Sequence, residues 1–377
     1  MIPVYKPYLP PGALDKAHEA LDSTWLSSQG KYIQIVQEKL QELLNVKYVL
    51  PLNNGTSACH LMAKCASKFR HKKFNENMKI QVIVPNNVYV AAWNAFLFDS
   101  HFILIPIEAD LNTWNYDLDR LDEAITRLPN AMVLVVHNIG NIINVPELQR
   151  KYPDTTFIED NCEGFLGTYE GLRSGTASYC SAISFFGNKN ITSGEGGAFV
   201  TNDEDAYLFA KCVQGQGQSS KRFVHSELGY NYRMTNIQAA ILCGQLDLLP
   251  QILSLKSGIF DIYRRAFDSR EDIKIQAIDP NTTHSNWMFG VRIPGNPGYD
   301  QAEAFFKTHG IEVRPMFYPL NAHRHLKFNG MNVYGCNYTT AEQLNRECFI
   351  LPSYPELNIG EQTHIIYNVN EYVKKVI

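Results

Sequence analysis

The sequence predicts an α/β fold: a large domain over residues 1–245 with a mostly parallel sheet flanked by helices, and a smaller C-terminal α+β domain over residues 246–377. Three observations predict it. The first half repeats short, continuously apolar β-branched runs with helix-compatible stretches between them, which is the pattern of strands buried on both faces. From about Ile273 the texture changes, and prolines at 280, 294, 297, 315, 319, 352 and 355 interrupt short strands and helices. The chain is long and apolar enough for a large core, with 377 residues, 45% hydrophobic and 19% charged.

In chain order, the opening MIPVYKPYLPPGAL has no apolar segment behind a basic one, so no secretory signal and a cytoplasmic location are expected. NNGTSACHLMAKCASKF reads as a helix whose first turn carries Gly55, Thr56 and Ser57. Hydroxyls and a glycine there cap a helix, and its free amides and dipole favour an anion. QVIVP ends at Pro85 and is followed by Asn86, Asn87 and Tyr89, while DLDRLDEAITRL and NVPELQRKY suit helices. AMVLVVH ends at His137, TTFIED at Asp160 and SAISFFGNK at Lys189. Four strands thus end on residues able to do chemistry, and in such sheets ligands collect beyond the carboxyl ends. One shared site is expected there. TNIQAAILCGQLDLLPQILSLKSGIFDIYRRAF is a long helical region that Pro250 kinks or breaks, and QAEAFFKTHG is a helix of the smaller domain.

Several classes are set aside. A net charge of -4 gives no field for nucleic acid or an anionic membrane, and the apolar runs are of strand length, so no membrane span is expected. Eight cysteines (59, 65, 162, 180, 212, 243, 336 and 348) include no CxxC pair, so neither disulfides nor a metal site is expected and most are read as small core residues.

The residues at the strand ends suggest a chemistry. Lys189 follows ISFF, a poor place for a solvated charge, and precedes a loop with three glycines that leaves room for a flat ring. A desolvated lysine amine forms a Schiff base with an aldehyde cofactor. A buried carboxylate such as Asp160 holds a pyridine nitrogen protonated and makes the ring an electron sink. Tyr89 offers a face for stacking, and Thr56, Ser57 and Ser184 offer hydroxyls to a phosphate. A lysine, an acid, an aromatic and phosphate donors on separate strand ends form the set that pyridoxal 5′-phosphate requires.

At this point the chain resembles a family. SFFGNKNITSGEGGAFVTND, HSELGYNYRMTNIQAA and NNGTSA, in this order of segments, look like those of the nucleotide-sugar aminotransferases of aspartate-aminotransferase fold, and most like the perosamine- and viosamine-type enzymes. The resemblance implies a sheet of the seven-stranded type and pyridoxal 5′-phosphate as cofactor. It implies Lys189 as the Schiff-base lysine, Asp160 at the pyridine nitrogen, Glu163 near the ring hydroxyl, and Tyr89 stacked on the ring. Gly55, Thr56, Ser57 and Ser184 match its phosphate donors. Asn231 matches an asparagine reaching the phosphate of a neighbouring subunit, so a homodimer with shared active sites is implied. His137, Arg233, Arg314 and Tyr318 are expected at the substrate or co-substrate. The chain departs from the family at His137-Asn138-Ile139-Gly140 and Pro319-Leu320-Asn321, where sugar and nucleotide contacts are expected. The implied reaction moves an amine from L-glutamate, leaving 2-oxoglutarate, to carbon 4 of a nucleotide-linked 4-keto-6-deoxyhexose. The retained lysine favours it, because relatives that remove a hydroxyl carry histidine instead. Amination at carbon 3, a non-catalytic regulator on the same fold, and an unrelated nucleotide-binding module built on the GTS helix start are the competing readings.

Overall fold

The computed structural model describes residues 1–70, 79–99, 101–327 and 338–377; Cys336 lies outside them. Seven strands form the main sheet, in the order Tyr48–Leu52, Gly197–Thr201, Cys180–Ser184, Phe157–Asp160, Met132–Val136, Ile80–Pro85 and Phe102–Ile107. Gly197–Thr201 is antiparallel to both neighbours, and the other six strands share one direction. Their uninterrupted apolar character follows from cover on both faces. Val82, Val84, Leu134 and Ile158 pack with Ala58, Leu61 and Met62 of the helix Gly55–Arg70. Ile83, Val133, Val135 and Phe157, the alternate positions, pack on the opposite face with Leu121 and Ile125.

The strand ends differ from expectation at two places. Met132–Val136 stops before His137, and Cys180–Ser184 stops five residues before Lys189. After Ser184 the chain bends into a turn in which Lys189 N–H donates to Phe186 O at 2.9 Å. Lys189 therefore belongs to a loop beyond the sheet.

Helix boundaries follow side-chain caps. Asp117 accepts from Asp119 N–H and Arg120 N–H, both at 3.1 Å, at the start of Leu118–Arg127. At Gly55–Arg70 the cap comes from Asn54, whose side-chain oxygen accepts from Ser57 N–H at 2.8 Å, rather than from the expected hydroxyls. Thr235 and Gln238 form a capping box on Asn236–Asp247. Pro250, which cannot donate to a helical ladder, sits in the first turn of Leu249–Phe267, and the two helices meet at 68°. No single helix among the described residues is long and apolar enough to cross a membrane. The seven described cysteines are free, and five of them are buried.

Beyond the bend, Phe289–Arg292, Cys348–Leu351 and Arg314–Pro315 form a small antiparallel sheet with Cys348–Leu351 in the middle. Tyr299–Thr308 and Ile359–Val376 pack on it through Phe306, Ile365 and Tyr372. Val4 and Tyr5 are buried in this second core, and Ile2 N–H donates to Gly310 O at 2.7 Å. The first five residues thus pack with the C-terminal elements, which a boundary at 245/246 read from sequence does not capture.

Inside the large sheet, His137 and Glu159 are both wholly buried, with Nε2 and Oε1 3.0 Å apart. Glu159 also accepts from Gly175 N–H at 2.9 Å and Ser178 N–H at 3.3 Å. Burial pushes the Glu159 carboxyl up, but the His137 bond and charge, with the Ser178 and Gly175 donors, outweigh it and hold it below the usual carboxylate range. A depressed acid contributes stability that is fully present above the unfolded value of 4.5 and is lost as pH falls through the lower folded value. His137→Leu leaves that buried carboxylate with its two backbone donors alone, and we expect it to cost about 3 kcal/mol. Urea unfolding at pH 7 measures this; a variant as stable as the parent would contradict a structural pair.

Candidate active site

The carboxyl ends of the central strands open on a cavity of about 650 Å³. Asp160 and Ser184 line it from the strand ends, Lys189 from the turn after Ser184, Gly55 and Thr56 from the helix start, and Tyr89 and Glu163 from connecting loops. Arg314 and Tyr318 line it from the C-terminal elements. Nine of the thirteen residues expected at the site therefore share one cavity.

Asp160 reaches it through sheet register. The strand Phe157–Asp160 pairs in parallel with both neighbours, setting Asp160 beside Val136 on one side and Ala182 on the other. Its carboxylate Oδ1 accepts from Cys162 N–H at 3.0 Å, and the side chain is almost wholly buried. Lys189 is half-buried on the turn. Its carbonyl accepts from Tyr5 O–H at 2.7 Å, and its ammonium lies 3.8 Å from the centre of the Trp287 ring. Such a contact contributes about 0.5–2 kcal/mol, more as water is excluded. Trp287 is itself fixed: its indole N–H donates to Asn188 O at 2.9 Å, and its carbonyl accepts from the buried Lys256 amine at 2.8 Å.

Glu163 is buried with one strong donor, Ile139 N–H, 2.7 Å from Oε2. Burial pushes its carboxyl up to about 7, with Asp160 adding to the rise, while Lys189 and the Ile139 N–H oppose it. Ile139 presents that N–H from a left-handed backbone, φ 57°, a conformation that is costly for a β-branched residue. Its neighbours impose it: Asn138 donates to Asn87 O at 3.1 Å and Trp114 O at 2.8 Å, and Gly140 follows at φ 98°.

At the helix start, a Cβ on Gly55 would lie 2.7 Å from Ser184 Cβ, so only glycine lets the first turn approach the strand end. The amides of Gly55 and Thr56 have no intrahelical acceptor, and the dipole favours an anion there. The wall thus offers a helix start beside the Ser184 hydroxyl, a buried carboxylate and a lysine amine. This donor set fits a phosphorylated pyridine aldehyde.

Four expected residues stand elsewhere. His137 is wholly buried in its pair with Glu159 and does not line the cavity. Ser57 is buried in the helix, its amide taken by Asn54. Arg233 Nε donates to Ser28 Oγ at 3.2 Å, outside the cavity wall. Asn231 is exposed on a loop, its carbonyl accepting from Asn53 at 3.3 Å. Tyr89 is at the wall but 59% exposed, with its ring 6.0 Å from that of Phe317. Sequence reading missed Trp287, Ile139 and Tyr5. Trp287 and Tyr5 come from the C-terminal elements and the N-terminal tail, far from the strand ends in sequence. The one sequence signal at Ile139 was its departure from a family segment.

Comparison with known proteins agrees with this fold. A family model described as the DegT/DnrJ/EryC1/StrS aminotransferase family matches residues 11–370. The GDP-perosamine synthase of Escherichia coli O157:H7 is 33% identical over 379 aligned positions, covering 98% of each chain. A GDP-4-keto-6-deoxymannose-3-dehydratase variant with bound GDP-perosamine superposes with a TM-score of 0.89 at 22% identity, covering 98% of this chain and all of its own. The E. coli GDP-4-keto-6-deoxy-D-mannose-3-dehydratase with bound hydrated pyridoxal phosphate superposes with a TM-score of 0.88 at 22% identity, covering 98% of this chain and 99% of its own. At these identities the two structures speak for the fold alone. With the family match spanning nearly the whole chain and the cavity carrying the matching donor set, this protein belongs to the DegT/DnrJ/EryC1/StrS aminotransferases, enzymes of sugar amination that use pyridoxal 5′-phosphate.

Proposed function

We propose that the enzyme transfers an amino group from L-glutamate to carbon 4 of a nucleotide-linked 4-keto-6-deoxyhexose. The product is a 4-amino-4,6-dideoxyhexose nucleotide of perosamine or viosamine type. The observation that carries this reading is Lys189, an amine held at the wall of the cavity that Asp160 also lines. The GDP-perosamine synthase at 33% identity supports the sugar class.

Pyridoxal phosphate supplies an electron sink and a carrier for the amine. Asp160 would keep the pyridine nitrogen protonated, and the Gly55 and Thr56 amides with Ser184 would hold the phosphate. The free amine of Lys189 takes the proton from the amino-acid Cα and, in the second half-reaction, delivers one to carbon 4 of the sugar. The Trp287 ring lies beside that amine. Glu163, titrating near neutrality, can face a ring hydroxyl as donor or acceptor. That Arg314 and Tyr318 line the same cavity supports a role for them at the substrate. Asn231, exposed and away from its own cavity, supports a homodimer in which it reaches the neighbouring site. The dehydratases of like fold raise the rival of hydroxyl removal; the lysine at position 189 favours amine transfer.

Offering GDP-, UDP- and dTDP-linked 4-keto-6-deoxy sugars with ¹⁵N-glutamate should give a ¹⁵N-labelled amino sugar whose NMR spectrum places nitrogen on carbon 4. Nitrogen on carbon 3, or a deoxygenated product, would refute the assignment. Lys189→Ala should lose at least about 10³-fold in turnover while circular dichroism stays unchanged. Undiminished transfer by that variant would remove the lysine from the mechanism.

Glu163 gives a separate test in the cofactor-free chain. A raised acid contributes stability that is fully present below the unfolded value of 4.5 and is lost as pH rises through about 7. Glu163→Gln should therefore match the parent near pH 4.5 and exceed it by up to about 3 kcal/mol at pH 9, followed by urea unfolding. A pH-independent difference would mean that the carboxyl does not titrate as its burial requires.

A further inference from the structure

Cys59, Asp160 and Cys162 meet at one wall of the cavity. Cys59 comes from the helix Gly55–Arg70, and the other two from the end of the strand Phe157–Asp160 and the turn after it. Their two sulfurs and a carboxylate oxygen all lie within 4.8 Å of one another, and both thiols are free. Among the described residues no other three His, Cys, Asp or Glu side chains form such a group.

The spacing suits a metal. Tetrahedral zinc with sulfur ligands at about 2.3 Å sets its ligand atoms about 3.8 Å apart, so the three donors need to close by about an ångström or less. Asp160 Oδ1 already accepts from Cys162 N–H at 3.0 Å, which orients the carboxylate beside the two thiols. Two sulfurs and one oxygen select a borderline-soft cation over magnesium or calcium, and the cavity leaves a fourth position for water.

Charge also balances. Two thiolates, one carboxylate and a divalent cation sum to one negative charge, and the Lys189 ammonium lines the same cavity. Binding releases the two thiol protons to solvent, so affinity rises with pH.

We infer that in the cofactor-free chain Cys59, Asp160 and Cys162 bind one thiophilic divalent cation, for which Zn²⁺ is best suited, and that this cation and pyridoxal phosphate exclude each other. The exclusion rests on the proposed place of Asp160 at the pyridine nitrogen; the binding does not. A cation there sequesters the carboxylate that the cofactor ring needs, so metal load sets how much of the chain can take up cofactor.

The test uses the full-length chain, stripped of cofactor and kept reduced, with Co²⁺ as the spectroscopic probe. A thiolate-to-cobalt charge-transfer band in the near ultraviolet should saturate at one equivalent and be displaced by Zn²⁺. Cys59→Ser and Cys162→Ser, each checked for fold by circular dichroism, should each weaken cobalt binding at least about tenfold. Chain whose cofactor has been fixed by borohydride should show no band. Absence of a thiolate band at stoichiometric cobalt, or a band that survives both substitutions, overturns the site. Cobalt binding of equal strength with the cofactor fixed overturns the exclusion. The titration needs neither substrate nor cofactor, so its failure and that of the proposed function are read separately.

Discussion

The site depends on the parallel pairing of Phe157–Asp160 with Met132–Val136 and Cys180–Ser184. That register sets Asp160 beside Ala182, and two residues further on the neighbouring strand delivers Ser184 and the turn bearing Lys189. A slip of one residue would turn the carboxylate to the other face of the sheet. The register is held by apolar side chains that alternate between two cores, one beneath the helix Gly55–Arg70 and one beneath Leu118–Arg127. The same packing that buries Ile158 on one face and Phe157 on the other therefore aims the carboxylate of Asp160.

Two glutamates four residues apart show how the surroundings, not the residue type, set acidity. Glu159 has a histidine partner and two backbone donors, so its charged form is held in spite of burial. Glu163 has a single backbone donor and Asp160 as a neighbour, so burial wins and the carboxyl rises. The first acts as a strut within the sheet. The second is left able to change protonation near pH 7, and a strained backbone at Ile139 supplies its one firm hydrogen bond.

The C-terminal elements complete the site. Lys256 is wholly buried, with burial driving its amine well below the usual lysine range, and it donates to the carbonyls of Trp287 and Ser353. Those bonds tie the helix Leu249–Phe267 to the segment that carries Trp287, and Trp287 in turn faces the Lys189 amine. Arg314 and Tyr318 line the same cavity. The cavity therefore exists only where the sheet ends meet the smaller unit, and the N-terminal tail helps to lock that meeting through Tyr5 and the Lys189 carbonyl.

Local pattern by itself determined the strands, the flanking helices, the break at Pro250 and the gathering of Asp160, Ser184 and Lys189 at one edge. These follow from periodicity, caps and proline chemistry, which act over a few residues. The family resemblance added the sheet size and the cofactor. What only the tertiary structure decided lies at long range. His137 looked like a strand-end contact, but its environment is a buried carboxylate 22 residues away, so it braces the wall. Ser57 and Arg233 stand outside the cavity lining, the Ser57 amide donating to Asn54 and the Arg233 Nε donating to Ser28, 205 residues away in the chain. Trp287 gained its place because the packing of the C-terminal elements brings it over Lys189, nearly a hundred residues away in the chain. Which side chains are desolvated, and beside what charge, is a property of that packing, and a linear pattern carries no record of it.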